Sequence, residues 1–281
     1  MNVISAGSLR HALEIRGSEK VITFAGGTDL MVRKKSWPGT LPAFDLPVLL
    51  IGGLSELMGC SVENGLVRIG AAEKLAAVAE NTGLPEILRL AVRQMAAPGI
   101  RNMGTIGGNI INASPAGDTL PALYALNTTL TLLSLSGTRE VPIRQFIKGP
   151  GRTELHDDEL LTAVNIPAGD FKRVYYRKIG TRKADALSKV SFAGLANLKE
   201  GKIADMRIAI GAVAPAVVRS EEAESLLIGR DIEDVPGLLP EVIGFYLKLI
   251  RPIDDQRSNA AYRKEVSLRL IKDFISGLTK K

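Results

Sequence analysis

Short apolar runs, broken by glycine and proline, set the pattern of the first 170 residues. Val21–Ala25 and Pro47–Ile51 are unbroken and of strand length, so both are read as buried strands. Leu9, Ala12 and Leu13 fall on one face of a short helix over Ser8–Arg16. Leu57–Val62 and Leu66–Gly70 flank Glu63-Asn64-Gly65, and Asn-Gly predicts a tight hairpin. Helices follow over Glu73–Glu80 and Leu84–Met95, the second ended by Ala96-Ala97-Pro98-Gly99. Thr128–Leu135 alternates as a strand, Gly137 turns it, and Arg139–Val141 returns. Pro142–Ile147 is read as a helical turn, Lys148–Thr153 as a loose segment able to move, and Glu159–Ile166 as a closing strand.

The pattern changes at Phe171. Tyr175–Ile179, Val190–Leu198 and Ala204–Val213 read as three strands, the last two joined by a turn at Glu200-Gly201-Lys202. Helices over Ser220–Leu227, Leu238–Ile250 and Ala260–Leu278 end the chain. Strands followed by helices argue for α+β, here a sheet with helices on one face. The expected division is residues 1–170, in lobes of about 1–53 and 54–170, and residues 171–281.

Two glycine segments stand out. Gly26-Gly27-Thr28-Asp29 directly follows the first strand. Thr105–Asp118 reads TIGGNIINASPAGD, with Gly107 and Gly108 adjacent and Thr105, Asn109, Asn112 and Ser114 around them. Paired glycines let a charged ligand approach the peptide N–H groups, and the short polar side chains both donate and accept. Asp118 stands where an N-cap belongs, ahead of Thr119-Leu120-Pro121, so a glycine loop feeds a helix. One such segment also reads as a plain tight turn; two suit a diphosphate gripped from both sides. No lysine follows the glycines as a P-loop requires, and the G-x-G-x-x-G spacing is absent.

AGGTDL at Ala25–Leu30 followed by TIGGNIINASPAGD resembles the FAD-binding medium subunit of the molybdenum hydroxylases, the family of xanthine dehydrogenase and carbon monoxide dehydrogenase. Asp157–Pro167 and Arg177–Gly194 resemble it too, and the likeness runs through nearly the whole chain. It implies an FAD-binding domain of the PCMH/VAO type, two-lobed, followed by a C-terminal domain with a three-stranded antiparallel sheet and helices. It further implies that Ala25, Gly26, Gly27, Thr28 and Asp29 meet the FAD diphosphate from one lobe, and Thr105, Gly108, Asn109 and Asn112 from the other. Leu30 and Ile111 would lie near opposite faces of the flavin ring, and Leu161 would meet its edge through the backbone. Asp118 would hold a ribose hydroxyl, cap the helix, or both. Lys178 would approach the pyrimidine end of the ring; the bland alternative is a solvated stretch with Arg173, Arg177, Arg182 and Lys183. Asp185 and Lys189 match positions in a loop near the flavin. At Met95, where some relatives place an aromatic near the adenine, a methionine gives a weaker contact. Related covalent flavoproteins attach FAD through a histidine near the first glycine loop. None is present there, so non-covalent FAD is expected.

Composition narrows the alternatives. The 281 residues suit two or three modest domains, and 46% hydrophobic with 23% charged is ordinary for a globular protein. The formal charge is +6, but aromatics are 5% and do not interleave with the basic residues, so nucleic acid is not the expected partner. A secretory apolar core is not expected in the first twenty residues, and no segment reads as a membrane span. The single cysteine, Cys60, is read as structural; it permits no internal disulfide and no iron–sulfur cluster held by this chain alone, and suits a cytoplasmic setting. The two histidines, His11 and His156, lie in unlike contexts, so neither a metal site nor a Ser-His-Asp triad is expected. With no catalytic side chains expected, a bound cofactor would supply the chemistry. The resemblance implies partners: an iron–sulfur subunit with [2Fe–2S] clusters and a molybdopterin-binding subunit carrying the molybdenum cofactor, with electrons passing through this flavin to NAD or another acceptor. The rival readings are a self-contained FAD-dependent reductase or oxidase of the same fold, and a binding module that has lost its flavin.

Overall fold

The computed structural model describes residues 2–35, 37–183 and 185–279. Its elements run β1 (Val3–Ser5), α1 (Leu9–Ser18), β2 (Ile22–Phe24), α2 (Leu30–Arg33), β3 (Val48–Leu50), β4 (Cys60–Glu63), β5 (Leu66–Gly70), α3 (Leu75–Glu80), α4 (Glu86–Arg93), α5 (Pro98–Met103), α6 (Ile106–Ile111), α7 (Thr119–Ala125), β6 (Thr129–Ser134), β7 (Gly137–Pro142), α8 (Ile143–Phe146), β8 (Ile147–Gly149), β9 (Arg152–Thr153) and β10 (Leu160–Pro167). Then come β11 (Arg173–Ile179), β12 (Val190–Lys199), β13 (Lys202–Gly211), β14 (Val218–Arg219), α9 (Glu221–Ser225), α10 (Val235–Leu249) and α11 (Ala260–Gly277).

The chain divides into two units. The first holds Met1–Glu80, Ala97–Ala113 and Thr128–Ala168; the second holds Asn81–Ala96, Ser114–Asn127 and Gly169–Lys281. In the first unit, β1, β3 and β2 form a parallel sheet in that order. Ser8 caps α1 by accepting from His11 N–H, and Ala12, Leu13 and Ile15 of that helix join Leu49 and Leu57 in one core. A five-stranded sheet runs β4-β5-β10-β6-β7. Its central strand β10 is buried from Leu160 to Ile166, so its sequence is mostly apolar on both faces, and its two polar side chains, Thr162 and Asn165, donate to Thr131 O and Oγ1. Asn64 and Gly65 turn β4 into β5 with φ of 50° and 74°, the left-handed pair that a two-residue hairpin requires.

In the second unit the sheet order is β11-β12-β13-β14, antiparallel throughout. Alternation along β12 sends Val190, Phe192 and Ala196 into a core with Phe274 and Ile275 of α11 and Val242 and Tyr246 of α10. Ser191 points the other way. A Cβ at its register partner Gly211 would lie 2.5 Å from Ser191 Oγ and 2.9 Å from Pro121 of α7. Helices therefore cover both faces, not one, because α7 packs on β12 and β13 and α4 packs on β11.

The helix expected to end at Ala96–Gly99 does end ahead of that stretch, at Arg93, and Pro98 opens α5, a first-turn position where its missing N–H costs nothing. Three further expectations give way. Gly107 and Gly108 lie inside α6 rather than in a loop. Lys148–Thr153 is organised by the β8–β9 hairpin, so it is not a loose segment. The C-terminal sheet has a fourth short strand, β14.

Candidate functional site

The glycine pairs of both segments lie in the first unit, which holds the second segment up to Ala113, and the first pair touches the residues just before the second segment. After β2 the chain turns at Gly26 and Gly27, the latter at φ 70°. A Cβ at Gly26 would sit 2.9 Å from Gly104 Cα and closer still to Met103 O, immediately before the second segment. At Gly27 it would strike the Phe24 ring. The loop is thus pinned on both sides by backbone and ring. Yet the N–H groups of Gly26, Gly27 and Thr28 have no hydrogen-bond acceptor among the described residues.

The second segment begins with Thr105, whose Oγ1 caps α6 by accepting from Gly108 N–H at 3.1 Å. Gly107 N–H donates to Ala71 O at 2.9 Å, and a Cβ on Gly107 would meet that oxygen at 2.6 Å. Gly108 is exposed, and a Cβ there would meet Thr105 Oγ1 alone, at 2.8 Å. The unused donors therefore belong to the first segment, while the glycine N–H groups of the second already have partners. Ile111 is 37% exposed on α6 despite its apolar side chain. Asn109 and Asn112 are half-buried, as are Ala25 and Leu30. Asp29 pairs with Arg33 at 2.5 Å, so its carboxylate has a partner of its own. Leu161 is buried in β10, next to the register shift between Leu161 and Ala163, on a strand against which α6 packs.

Asp118 and Lys178 belong to the second unit. Asp118 holds the N-cap position of α7, but at φ −64° and ψ −31° its side chain caps nothing. The carboxylate instead takes Lys178 Nζ at 2.7 Å and Ser188 Oγ at 2.6 Å. Tyr176 O–H donates to the Asp118 carbonyl at 2.9 Å, and Lys178 also donates to Gln94 O at 3.0 Å. Alternation along β11 places Tyr176 and Lys178 on one face, towards α7. Burial pushes the Asp118 carboxyl above the ordinary carboxylate range, against the pull of Lys178 and Ser188. The Lys178 side chain is 6% exposed, whereas Arg173, Arg177, Arg182 and Lys183 are exposed, so Lys178 does not belong to a solvated basic stretch. Asp185 lies near Arg182, and Lys189 sits over the Tyr262 ring; neither joins the cluster. Ser188 and Gln94 escape sequence reading, since a serine in a loop and a main-chain carbonyl carry no motif. Cys60 is exposed on β4 rather than part of a core. Among the described residues, no three His, Cys, Asp or Glu side chains are grouped to hold a metal, and no helix is long and apolar enough to cross a membrane.

Residues 1–169 match the family model of the FAD binding domain in molybdopterin dehydrogenase. This chain belongs to that family. Residues 175–278 match the CO dehydrogenase flavoprotein C-terminal domain. Both glycine segments, Asp118 and Leu161 fall in the first match, and Lys178 and Ser188 in the second. The glyceraldehyde dehydrogenase medium chain of Sulfolobus acidocaldarius is 33% identical over 274 residues, covering 94% of this chain and 92% of that one. The xanthine dehydrogenase FAD-binding subunit of Escherichia coli O157:H7 is 31% identical over 207 residues, 71% and 69% of the two chains. The reconstituted CO dehydrogenase from Oligotropha carboxidovorans superposes with a TM-score of 0.88 over 97% of this chain and 95% of that one. At 24% identity that likeness speaks for the fold: an FAD-binding domain followed by a domain built on an antiparallel sheet.

Proposed function

We propose that this chain is the FAD-carrying electron-transfer subunit of a molybdenum hydroxylase. Its partners are an iron–sulfur subunit with [2Fe–2S] clusters and a molybdopterin-binding subunit; the electron acceptor is NAD or another oxidant. The observation that carries the reading is the pinned Gly26–Thr28 loop beside the second glycine pair, whose three N–H groups have no acceptor among the described residues. A diphosphate supplies the anionic oxygens that such a concavity takes. Family membership and the arrangement of relatives as medium or FAD-binding subunits support the rest. Bound FAD supplies the two-electron redox centre that the side chains lack.

The roles assigned to the chain's own residues follow from their chemistry. The N–H groups of Gly26, Gly27 and Thr28 hold phosphate oxygens, and bare Gly108 lets the ligand approach α6. Thr105 braces that turn through its cap, while Asn109 and Asn112 offer amides. Leu30 and Ile111 give apolar contact to a planar ring, and Leu161 offers main chain. Asp118 and Lys178 form a buried ion pair within the second unit. The proposed domain boundary stays at residue 170, although α4 and α7 pack in the second unit. The single cysteine supports a cytoplasmic setting. The test is acid precipitation of the purified protein. All the yellow colour is expected in the supernatant; colour on the pellet refutes non-covalent binding, and a colourless chain that ignores added FAD refutes the assignment.

A further inference from the structure

Phe24 has no assigned role, yet the Gly26–Thr28 loop rests against it. The residue ends β2, where Ile51 N–H donates to its carbonyl at 2.9 Å and Leu50 is its register partner, so its backbone is fixed by β3. Thr23 faces α1, since Arg16 of that helix donates to Thr23 Oγ1. Alternation leaves Phe24 on the opposite face of the small sheet, half-buried and apart from the α1 core. Its ring comes up against Gly27. A Cβ there would lie 2.7 and 2.8 Å from the two Cε atoms of Phe24 and closer still to Cζ. The ring thus fills the space that a side chain at Gly27 would need.

Glycine populates positive and negative φ about equally, so a glycine pair does not keep one shape unaided. At φ 70° Gly27 is in the left-handed region, which turns successive N–H groups towards one point. Backbone hydrogen bonding supplies one restraint, Met31 N–H on Gly27 O at 2.9 Å. The N–H groups of Gly26, Gly27 and Thr28 supply none among the described residues. Met103 and Gly104 confine the loop at Gly26, one residue earlier. At Gly27 itself the confining group is the Phe24 ring.

We propose that Phe24 is a positioning residue for the diphosphate site. Its ring keeps Gly27 at positive φ, so that the three N–H groups converge before the ligand arrives. This rests on the FAD reading above and concerns the first unit alone. A loop already in its binding shape leaves the ligand nothing to order. Without the ring that shape is one of several, and the apparent Kd rises by the inverse of its population. The loss falls on association, because FAD must meet the competent fraction. Dissociation is unchanged, because the bound loop makes the same contacts to the ligand.

The experiment uses the full chain, as wild type, Phe24→Ala, Phe24→Met and Ile22→Ala. Methionine refills the space under Gly27 with a flexible apolar side chain. Ile22 is on the same face of β2, two residues back, and does not contact Gly27. FAD binding to each apoprotein is followed by fluorescence titration and stopped-flow mixing, and melting by scanning calorimetry. Phe24→Ala is expected to raise the FAD Kd about tenfold through a slower association, the loss for a competent fraction of about one tenth. Phe24→Met is expected to recover most of the affinity, and Ile22→Ala to lower Tm while keeping the wild-type Kd. A phenylalanine that only contributes to stability would lower Tm and leave Kd in place. That result, a loss carried by faster dissociation, an equal loss in Ile22→Ala, or a Phe24→Met chain as weak as Phe24→Ala overturns the proposal. If Phe24→Ala does not fold, Phe24→Leu replaces it under the same criteria. A wild-type chain that binds no FAD overturns both readings; FAD-binding wild type with an unaltered Phe24 variant overturns this one alone.

Discussion

The adjacent glycines 107 and 108 offer a test in which fold and function separate. A methyl group at Gly107 would lie 2.6 Å from Ala71 O and 2.8 Å from Ala71 Cβ. Gly107 N–H already donates to that carbonyl, so the helix cannot move away without losing the bond. Overpacking of this kind costs about 1–3 kcal/mol. For a unit of this size that lowers Tm by roughly 2–10 °C. At Gly108 the same methyl meets only Thr105 Oγ1, which can rotate away but then gives up its cap to Gly108 N–H. Loss of that cap costs about 1 kcal/mol and alanine is the better helix former by about as much, so Gly108→Ala is expected to leave Tm nearly unchanged. Its cost should appear in the ligand instead. Keeping a phosphate oxygen from one charge-assisted contact costs about 1.5–3 kcal/mol, or roughly 10- to 100-fold in FAD Kd. The bulkier Gly108→Val should lose more still. Scanning calorimetry of the apoproteins and fluorescence titration with FAD read the two effects separately. Unchanged FAD affinity in Gly108→Ala and Gly108→Val would return the second glycine pair to the status of a plain packed turn. A Gly107→Ala protein as stable as wild type would refute the packing argument.

Two other outcomes follow from the ion pair and the proposed assembly. Lys178→Ala leaves Asp118 buried without its cation and is expected to cost about 3–5 kcal/mol, with Asp118→Asn/Lys178→Met recovering much of it in a double-mutant cycle. Because burial raises the Asp118 pKa, the folded chain binds that proton more tightly than the unfolded chain; its contribution to stability is present at low pH and declines as pH rises through the raised value. Removing the cation raises the pKa further, so the deficit of Lys178→Ala should be larger at about pH 8 than at about pH 5; a deficit that shrinks with rising pH would refute the assignment. In stopped-flow, the isolated FAD-loaded chain should show no substrate-driven bleaching with purines or aldehydes, and the iron–sulfur and molybdenum subunits should restore it. Bleaching by the lone chain would instead favour a self-contained flavoenzyme.

What the sequence discloses here is local. The hairpin at Asn64-Gly65, the strand preceding Gly26, and the long strands and helices after residue 171 follow from short-range periodicity and turn chemistry, and the structure has them within a few residues. Partnership across the chain is less legible. Nothing near Glu86–Arg93 or Thr119–Ala125 says that α4 and α7 pack with strands from beyond residue 173. Lys178 reads like its basic neighbours; only the face of β11 and a carboxylate 60 residues earlier make it buried. Ala96–Gly99 marks the end of α4 correctly, but α5, which starts at Pro98, is not legible there, because proline both follows helices and opens them. Asp118 shows the same limit: an aspartate before a helix suggests a cap, and a better partner from a distant strand takes the carboxylate away.

The two glycine pairs are alike in letters and unlike in cause. Gly26 is required by the backbone at Met103 and Gly104, and Gly27 by its φ of 70° and by the Phe24 ring. Gly107 is required by Ala71. Folding alone accounts for these three, so their presence says little about a ligand. Gly108 is different: it is exposed, lies in a helix where alanine would be the better former, and a side chain there would meet a single atom, the capping hydroxyl of Thr105. A residue that costs helix stability without a packing reason is where a functional constraint is easiest to see. The three N–H groups at Gly26–Thr28 make the same point from the other side, since the fold brings them beside the second glycine pair with no acceptor among the described residues. An anionic ligand explains both features at once, and that is why FAD affinity in Gly108→Ala tests the function more sharply than any change at the other three glycines.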